Sequence, residues 1–326
     1  MALRVHFNRI SFSEYTEEFK SLLDPQIKIT EGSEVPEPAD YEILVYPTPS
    51  KEWIEASPYL RAIVVPWAGI PERTREIMAG YPAVSIHNLH HNNFNTAELG
   101  FGLLLAAAKR IIPMDQALRK NNWTPRYEET KAILLRGKTV LILGFGEIGQ
   151  ALGAYCQGLD MKVVAIKKHP DDYHGELDVD VYPDNLLHDL LPKTDVLMVA
   201  LPLTGETENL IGETELNLMP KGGILVNIGR GPIVNQHALY EALTTGHLRA
   251  AGSDVWYNYP DSKESRSNTS PADVPFGELD NFVLSPHRGG MVEEVEQQRA
   301  QALAQLLNAA NRGDPVPNKV DLEAGY

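Results

Sequence analysis

The chain has 326 residues, of which 43% are apolar, and this is enough for two ordinary domains with cores of their own. Its formal net charge of −15 argues against general binding to nucleic acid or anionic membranes, and the absence of any run of about 18 uncharged apolar residues predicts no membrane span. Cys156 is the single cysteine, so no internal disulfide is possible, and without a secretory pattern in the first residues the predicted location is cytoplasmic.

The first ninety residues carry short apolar segments separated by turns. Candidate strands lie at Leu3–Phe7, Ile27–Thr30, Glu42–Tyr46, Ala62–Val65 and Ala83–Ile86. Prolines punctuate the turns between them. The pattern predicts a small α/β domain.

Two long helices are predicted outside the central part of the chain. The first covers Thr96–Arg110, with Asn95 or Thr96 as N-cap, and is apolar on nearly every side. We therefore expect it to be buried between domains or between subunits. The second covers Val292–Ala310, and the tail Arg312–Tyr326 is rich in glycine, proline and charge, which favours the surface.

In the middle of the chain, buried-type strands alternate with helices. Helix-length stretches such as Gln150–Leu159 and Gln236–Thr245 separate most of the strands. Continuously apolar strands with helices between them are typical of a parallel sheet covered on both faces. Six such strands make a doubly wound domain. The six are predicted at Thr139–Leu143, Lys162–Ile166, Val196–Ala200, Ile224–Ile228, Ala250–Val255 and Phe282–Leu284.

A glycine motif closes the first of these strands and opens a helix. It reads Gly144-Phe145-Gly146-Glu147-Ile148-Gly149. The first glycine allows the tight turn, the second lets a pyrophosphate approach the backbone, and the third lets the helix pack on the strand. The helix N-terminus then faces the phosphates with unpaired N–H groups. The context indicates a dinucleotide-binding site.

The second strand ends in positive charge. A dinucleotide-binding unit normally has an acid there, which bonds the ribose 2′-hydroxyl. This chain has Lys167, Lys168 and His169 instead, and such residues attract a 2′-phosphate. We therefore predict a preference for NADP(H). NAD(H) stays possible, with Asp171 or Asp172 on the ribose.

Three further strand ends carry reactive side chains. Arg230 follows the fourth strand, Asp254 ends the fifth and His287 follows the sixth. Ligands of open α/β sheets bind at the carboxyl ends of the strands. The three side chains are therefore predicted to meet where a nicotinamide lies.

Together these motifs resemble the D-isomer-specific 2-hydroxyacid dehydrogenases, which include glyoxylate and hydroxypyruvate reductases and phosphoglycerate dehydrogenases. The resemblance covers nearly the whole chain. The matching segments are Thr96–Leu99, Gly144–Gly149, Leu201–Thr204 with Thr207, Asn227–Pro232, Asp254–Trp256, Ser285–His287 and the tail Asn318–Tyr326.

The resemblance implies two doubly wound α/β domains. A Rossmann cofactor domain, residues 99–291, is inserted in a flavodoxin-like substrate domain made of residues 1–98 and 292–326. It also implies NADP(H)- or NAD(H)-dependent reduction of a small 2-keto acid such as glyoxylate or hydroxypyruvate. Members are usually homodimers through the cofactor domain, and the apolar segment Leu99–Ala108 fits such an interface.

Family roles follow for single positions. Arg230 holds the substrate carboxylate and polarises the keto oxygen, His287 donates the proton, and Asp254 orients the nicotinamide amide. The implied substrate contacts are the backbone of Ala68, Gly69 and Ile70, and the side chain of Asn92. The remaining implied cofactor contacts are Leu201, Pro202, Thr207, Ile228, Gly229 and Gly289, beside Arg230, Asp254 and His287.

One catalytic position departs from the family pattern. Most members supply a glutamate that raises the pKa of the catalytic histidine, and Tyr259 stands there in this chain. A phenol is neutral near pH 7 and does not pair with imidazolium as an ion. We predict that His287 holds its proton less tightly than in relatives, so that reduction is favoured only at lower pH.

The same departure leaves two other functions open. The formate dehydrogenase branch also lacks this glutamate, although it generally uses NAD and has a longer N-terminal region. A regulatory protein that senses the cofactor, like the corepressors that resemble this family, is the other alternative.

Two further segments invite a functional interpretation. The stretch Asp261–Pro271 lengthens the chain before His287, and its composition predicts either a solvated surface loop or a flap that affects substrate choice. His87, His90 and His91 have no cysteine or carboxylate at ligand spacing nearby, so no metal site is predicted.

Overall fold

The computed structural model describes residues 2–322. By their internal contacts these residues form two compact units, one running up to Asn92 and resuming at Met291, the other comprising Asn93–Gly290. The predicted assignment of residues 1–98 with 292–326 to the substrate, and of residues 99–291 to the cofactor, stays a prediction.

The first unit is a five-stranded parallel sheet with helices. The central strands are fully buried, because short β-branched and aliphatic runs are covered on both faces. The strand order is β2-β1-β3-β4-β5, which is the flavodoxin-like order. Its elements are β1 (Arg4–Phe7), α1 (Thr16–Leu22), β2 (Lys28–Glu31), β3 (Ile43–Val45), α2 (Lys51–Ala56), β4 (Ala62–Val64), α3 (Glu72–Met78), β5 (Ser85–His87) and α10 (Val295–Arg312).

The second unit is a seven-stranded parallel sheet in the order β12-β11-β10-β9-β6-β7-β8. Numbered within the unit, its first six strands have the Rossmann order 3-2-1-4-5-6, which confirms the predicted doubly wound fold. Its elements are α4 (Asn93–Lys109), α5 (Ile111–Arg119), β6 (Thr139–Leu143), α6 (Glu147–Gly158), β7 (Lys162–Ile166), β8 (Asp180–Tyr182), α7 (Leu187–Leu190), β9 (Val196–Val199), α8 (Glu213–Leu218), β10 (Gly223–Asn227), α9 (Gln236–Thr244), β11 (Leu248–Ser253) and β12 (Phe282–Leu284).

The sequence predicts six of these seven strands and misses β8. It lies at the edge of the sheet beside β7 and has no buried residue. A polar strand of three residues gives no apolar signal, because an edge strand in this position has little to bury.

The long helix α4 begins at Asn93, so the proposed N-caps Asn95 and Thr96 lie inside its first turn. One face packs against α6, β10 and β11 of its own unit, and Leu103 and Leu104 are buried there. Part of the apolar surface expected at a subunit interface is thus used within the domain. The next helix, α5, has no buried residue at all.

The described part of the C-terminal tail is not confined to the surface as predicted. Lys319 forms an antiparallel bridge with His87, the backbone N–H of Val320 donates to the carbonyl of Ile86 at 2.9 Å, and Val320 is buried. The apolar side chain of Val320 explains this position. The end of the matched tail segment, residues 323–326, lies outside the described residues. None of the helices described between residues 2 and 322 could serve as a membrane span.

Candidate active site

The carboxyl ends of six strands form one row across the sheet of the second unit. The parallel register pairs the last residues of neighbouring strands with one another. The row runs Leu284, Ser253, Asn227, Val199, Leu143, Ile166. The loops of this unit that are predicted to carry chemistry therefore leave the sheet from the same edge.

The order of the strands separates two ends of this edge. The loops with Arg230, Asp254 and His287 follow β10, β11 and β12, which are neighbours, whereas Lys167 and Lys168 follow β7. Five strand spacings, about 24 Å, lie between β12 and β7. The edge thus fits an extended dinucleotide, with its reactive ring at one end and its adenosine ribose at the other.

The glycine loop fits a pyrophosphate at one glycine in particular. Gly144 has φ of 92°, and a Cβ there would lie 2.7 Å from the carbonyl oxygen of Ala200. A Cβ on Gly149 would overlap the carbonyl oxygen of Gly144. Around Gly146, in contrast, no atom lies within 4 Å of the Cβ position. The first and third glycines are required by packing, and the second leaves the space that a ligand needs.

The helix that follows supplies the N-terminus predicted for phosphate binding. Helix α6 is twelve residues long and begins at Glu147, whose carboxylate accepts a hydrogen bond from the Asn93 side chain. Ile148 is partly buried, and Phe145 is fully buried against Tyr173. Phe145 can therefore offer a cofactor only its main chain.

The basic end of the site contains an ion pair that the sequence did not reveal. Nζ of Lys168 lies 2.6 Å from Oε2 of Glu206, and both side chains are largely exposed. Lys167 is half-buried and its backbone N–H donates to the carbonyl of Tyr182, whereas His169 is exposed. A carboxylate therefore lies beside the lysines proposed for a 2′-phosphate.

The turn after β9 is held by its own threonines. The hydroxyl of Thr207 donates to the carbonyl of Pro202 at 2.7 Å, and it accepts from the backbone N–H of Thr204 at 2.8 Å. Leu201 and Pro202 are half-buried. A Cβ on Gly229 would lie 2.5 Å from the carbonyl oxygen of Leu201, so the turns after β9 and β10 are in close contact.

Ile228 and Arg230 lie on either side of Gly229. Ile228 is buried in the core beside helix α4. Arg230 is exposed, and its Nη1 donates to the carbonyl of Gly229 at 2.7 Å. Of the two, only the guanidinium is presented at the surface of the unit.

Asp254 anchors the loop that carries His287. Its Oδ1 accepts hydrogen bonds from the Ser285 hydroxyl at 2.5 Å and the backbone N–H of Arg288 at 2.8 Å, and its Oδ2 accepts from the backbone N–H of Gly289 at 2.8 Å. Asp254 is 2% exposed. Since both oxygens hold partners, its first role is to position this loop. The predicted contact with the nicotinamide stays a prediction.

Between these anchored groups, His287 has φ of 57°. This backbone conformation is left-handed, and residues other than glycine rarely adopt it. Strained conformations of this kind persist where the surroundings fix them, and they cluster at functional sites.

Tyr259 reaches the same histidine. Its hydroxyl oxygen lies 2.9 Å from Nδ1 of His287, and the ring centroids are 5.5 Å apart. The backbone N–H of Trp256 donates to the same phenol oxygen at 3.1 Å. The residue at the family's glutamate position is therefore in contact with the histidine, but as a neutral group.

The surroundings of His287 lower the pKa of its imidazole. The imidazole keeps an exposed edge, yet the protein packed around it lowers its pKa below the ordinary 6.5. The Arg230 guanidinium lowers this pKa further, and the Asp254 carboxylate opposes both effects. Desolvation raises the pKa of the Tyr259 phenol, so it stays neutral.

The proposed substrate loop belongs to the first unit. The Asn88 side chain donates to the carbonyl of Ala68 at 2.7 Å, Ile70 is buried, and Gly69 and Asn92 are half-buried. The loop is therefore held from within its own unit. Its contact with a substrate stays a prediction.

Two of the three neighbouring histidines, His87 and His91, lie in defined surroundings. Nδ1 of His87 lies 2.9 Å from the carbonyl of Pro317, and its Nε2 lies 2.9 Å from the Ser85 hydroxyl. Burial, followed by the charge of Arg299, lowers the pKa of His91 to about 4. No group of three metal-ligating side chains occurs among the described residues.

The inserted segment Asp261–Pro271 has local order. It contains a short 3-10 helix at Glu264–Ser267, and Ser262 and Ser265 exchange hydrogen bonds between hydroxyl and backbone N–H at 3.2 Å. These bonds explain how so polar a segment adopts a defined turn. Its effect on substrate choice stays a prediction.

Comparison with known proteins identifies the family. Residues 101–289, more than half of the chain, match the D-isomer specific 2-hydroxyacid dehydrogenase NAD binding domain. The chain therefore belongs to the D-isomer-specific 2-hydroxyacid dehydrogenase family, which confirms the resemblance seen in the sequence.

Two curated relatives and one solved structure illustrate the likeness. The chain is 35% identical to a glyoxylate reductase of Korarchaeum cryptofilum over 70% of this chain and 66% of that protein. It is 29% identical to the D-3-phosphoglycerate dehydrogenase of Methanocaldococcus jannaschii over 87% of this chain and 52% of that one. The chain thus spans less than two thirds of the length of these relatives. Its fold matches a D-isomer specific 2-hydroxyacid dehydrogenase from Xanthobacter autotrophicus, in complex with NADPH and MES, with TM-score 0.79 at 20% identity over the whole of both chains.

Proposed function

We propose that the protein is an NADP(H)-preferring dehydrogenase that reduces a small 2-keto acid, such as glyoxylate or hydroxypyruvate, to the D-2-hydroxy acid. The observation that carries this is the placement of Arg230, Tyr259 and His287 after three neighbouring strands, on the edge that also bears the glycine loop. The relatives named glyoxylate reductase support the substrate class.

The residues divide the chemistry among themselves. NADPH supplies the hydride when it is bound. Arg230 is permanently charged, so it holds the substrate carboxylate and stabilises the charge that develops on the keto oxygen. His287 delivers the proton through Nε2, since Nδ1 is engaged by Tyr259. Asp254 acts as a positioning residue, and Ala68, Gly69, Ile70 and Asn92 stay proposed substrate contacts.

The test is oxidation of NADPH, followed by absorbance at 340 nm, with a panel of 2-keto acids. We expect absorbance to fall only when a keto acid is present. NADPH binding without turnover of any keto acid would contradict the proposal and favour the sensing regulator. Reduction of NAD⁺ by formate would favour the formate dehydrogenase alternative.

The preference for NADP(H) is proposed from the lysines after β7. Replacing both Lys167 and Lys168 with alanine is expected to weaken NADPH binding about tenfold, because charge-assisted bonds to the 2′-phosphate are lost, and to leave NADH binding nearly unchanged. The measurement is fluorescence titration with both cofactors. Lys162→Ala, at the other end of the same strand, is the matched control.

Breaking the ion pair beside these lysines is expected to strengthen NADPH binding. Glu206→Gln removes the carboxylate that competes for Lys168, and since an exposed pair contributes at most about 1 kcal/mol, NADPH binding should tighten by up to about fivefold. An equal response of NADPH and NADH to all these variants would contradict the proposed preference.

A homodimer is proposed on the surface that follows α4. Helix α5 and the segment after it expose large apolar side chains, although α5 buries none in its own chain. A patch of this kind on a soluble domain is typical of an interface. Its members are Ile111, Ile112, Leu118, Trp123, Tyr127 and Leu134.

Introducing charge into this patch is expected to yield monomers. Trp123→Glu combined with Tyr127→Glu places two carboxylates where apolar contact is proposed, and burying them unpaired is costly. Light scattering after size-exclusion chromatography should report a dimer for the unaltered protein and a monomer for the variant. Leu22→Glu, an exposed position on α1, is the control and should remain dimeric. If the unaltered protein were a monomer, the proposed homodimer would be wrong.

A further inference from the structure

The two hydrogen bonds of the Tyr259 hydroxyl show in which direction it donates. Its oxygen accepts from the backbone N–H of Trp256 at 3.1 Å, and its single hydrogen is then available for a second partner. Nδ1 of His287 lies 2.9 Å from that oxygen. The phenol is neutral, because desolvation raises its pKa, so it has this hydrogen to give.

We infer that Tyr259 donates to Nδ1 of His287, so that neutral His287 carries its proton on Nε2 and presents the keto substrate with a hydrogen-bond donor rather than a lone pair. A glutamate at this position acts in the opposite way. An ionised carboxylate only accepts, so it holds the proton on Nδ1 and leaves the Nε2 lone pair toward the ligand.

No other described group competes for the ring. Asp254 is the carboxylate that influences His287, but its oxygens already accept from Ser285, Arg288 and Gly289. Arg230 is cationic and disfavours imidazolium. Nε2 has no hydrogen-bond partner within residues 2–322. Among the described residues, Tyr259 is therefore the group that determines the tautomer of His287.

The tautomer decides whether Nε2 donates a hydrogen bond to the substrate or accepts a proton from it. With the proton on Nε2, both neutral and protonated His287 donate to a keto oxygen. The hydroxyl of the product can accept a hydrogen bond from Nε2, but it cannot pass its proton there, because neutral His287 with its proton on Nε2 has no lone pair at that atom. Building on the proposed function, His287 donates to the keto acid in both protonation states and is not poised to act as a base toward the hydroxy acid.

The first test reads the tautomer directly and needs no activity. In protein labelled with ¹⁵N-histidine, the His287 signals are assigned by their loss in His287→Gln. At a pH above the His287 pKa, we expect protonated Nε2 and unprotonated Nδ1. Tyr259→Glu should reverse this pattern, and Tyr259→Phe should lose the preference; Tyr259 is about half exposed, so these changes do not disturb the core. A proton on Nδ1 in the unaltered protein would overturn the inference.

The second test measures how the affinity for a ligand depends on pH. Oxamate, a stable analogue of a 2-keto acid, is titrated into the NADPH complex from about pH 6 to about pH 8. We expect its affinity to vary by no more than about twofold in the unaltered protein. In Tyr259→Glu it should fall about tenfold for each pH unit above the His287 pKa, since only imidazolium then donates.

The two tests separate the inference from the proposed function. Equal pH dependence of oxamate binding in both proteins would overturn the inference. A tautomer on Nε2 together with no oxamate binding at all would uphold the geometry of the pair and count against the proposed substrate class instead.

Discussion

Replacing His287 with glutamine is expected to lower kcat for keto-acid reduction by a factor of about 10² to 10⁴, the usual contribution of a positioned proton donor. Glutamine can still donate a hydrogen bond, but it cannot transfer a proton at neutral pH. The affinity for NADPH should change little, because His287 is one of many implied cofactor contacts and the phosphate loop lies several strands away in the same sheet. Steady-state kinetics with cofactor titration measures both quantities.

A second histidine serves as the control for this change. His237 is exposed at the start of α9 and has no proposed role, so His237→Gln should retain kcat. If His287→Gln kept kcat within a few-fold of the unaltered protein, another group would have to supply the proton, and the proposed mechanism would fail.

The same step fixes the sign of the pH dependence. Reduction needs protonated His287, and its pKa lies below 6.5 because of desolvation and Arg230, with Asp254 opposing. The rate of reduction should therefore fall as pH rises through this lowered pKa, so that reduction is fastest in mildly acidic solution. Tyr259→Glu supplies an anionic partner that favours imidazolium, which should move the falling limb to higher pH by about one unit.

Replacing Asp254 with asparagine is expected to damage both the reaction and the fold. The carboxylate accepts three hydrogen bonds from the loop around His287, and the amide of asparagine must turn N–H groups toward at least one of those donors. Leaving a buried donor without a partner costs about 1–3 kcal/mol. We expect this loss in the free energy of unfolding, together with a fall in kcat of about a hundredfold as His287 leaves its position.

Asp273 provides the matched comparison. It also accepts hydrogen bonds from two side chains, Asn258 and Gln236, but at the surface. Asp273→Asn should therefore cost less than about 1 kcal/mol in urea unfolding and leave kcat unchanged. Equal losses of stability in both variants, with kcat intact in Asp254→Asn, would show that Asp254 does not position the catalytic loop.

The parallel sheet was predictable because its strands are buried on both faces. Strands β6 and β7 have the bounds that the sequence predicts, since continuous apolar runs mark them directly. Strand β8 was missed because it is polar and lies at the edge. The start of α4 was misjudged by a few residues, because cap-type side chains also occur within its first turn.

The candidate site was predictable in position but not in its contacts. Parallel strands bring their carboxyl ends to one edge, so Arg230, Asp254 and His287 follow from topology. The bond between Asp254 and Ser285 joins residues 31 positions apart, and no local pattern encodes it. For the same reason the sequence did not reveal the pairing of Lys168 with Glu206.

The left-handed backbone at His287 costs the protein some of its resistance to heat. Holding a residue with a side chain in that conformation costs about 1–2 kcal/mol, whereas glycine adopts it freely. A chain selected for thermal tolerance alone would gain most simply by placing glycine there and losing its imidazole. The proposed proton transfer and heat resistance therefore favour different residues at this position.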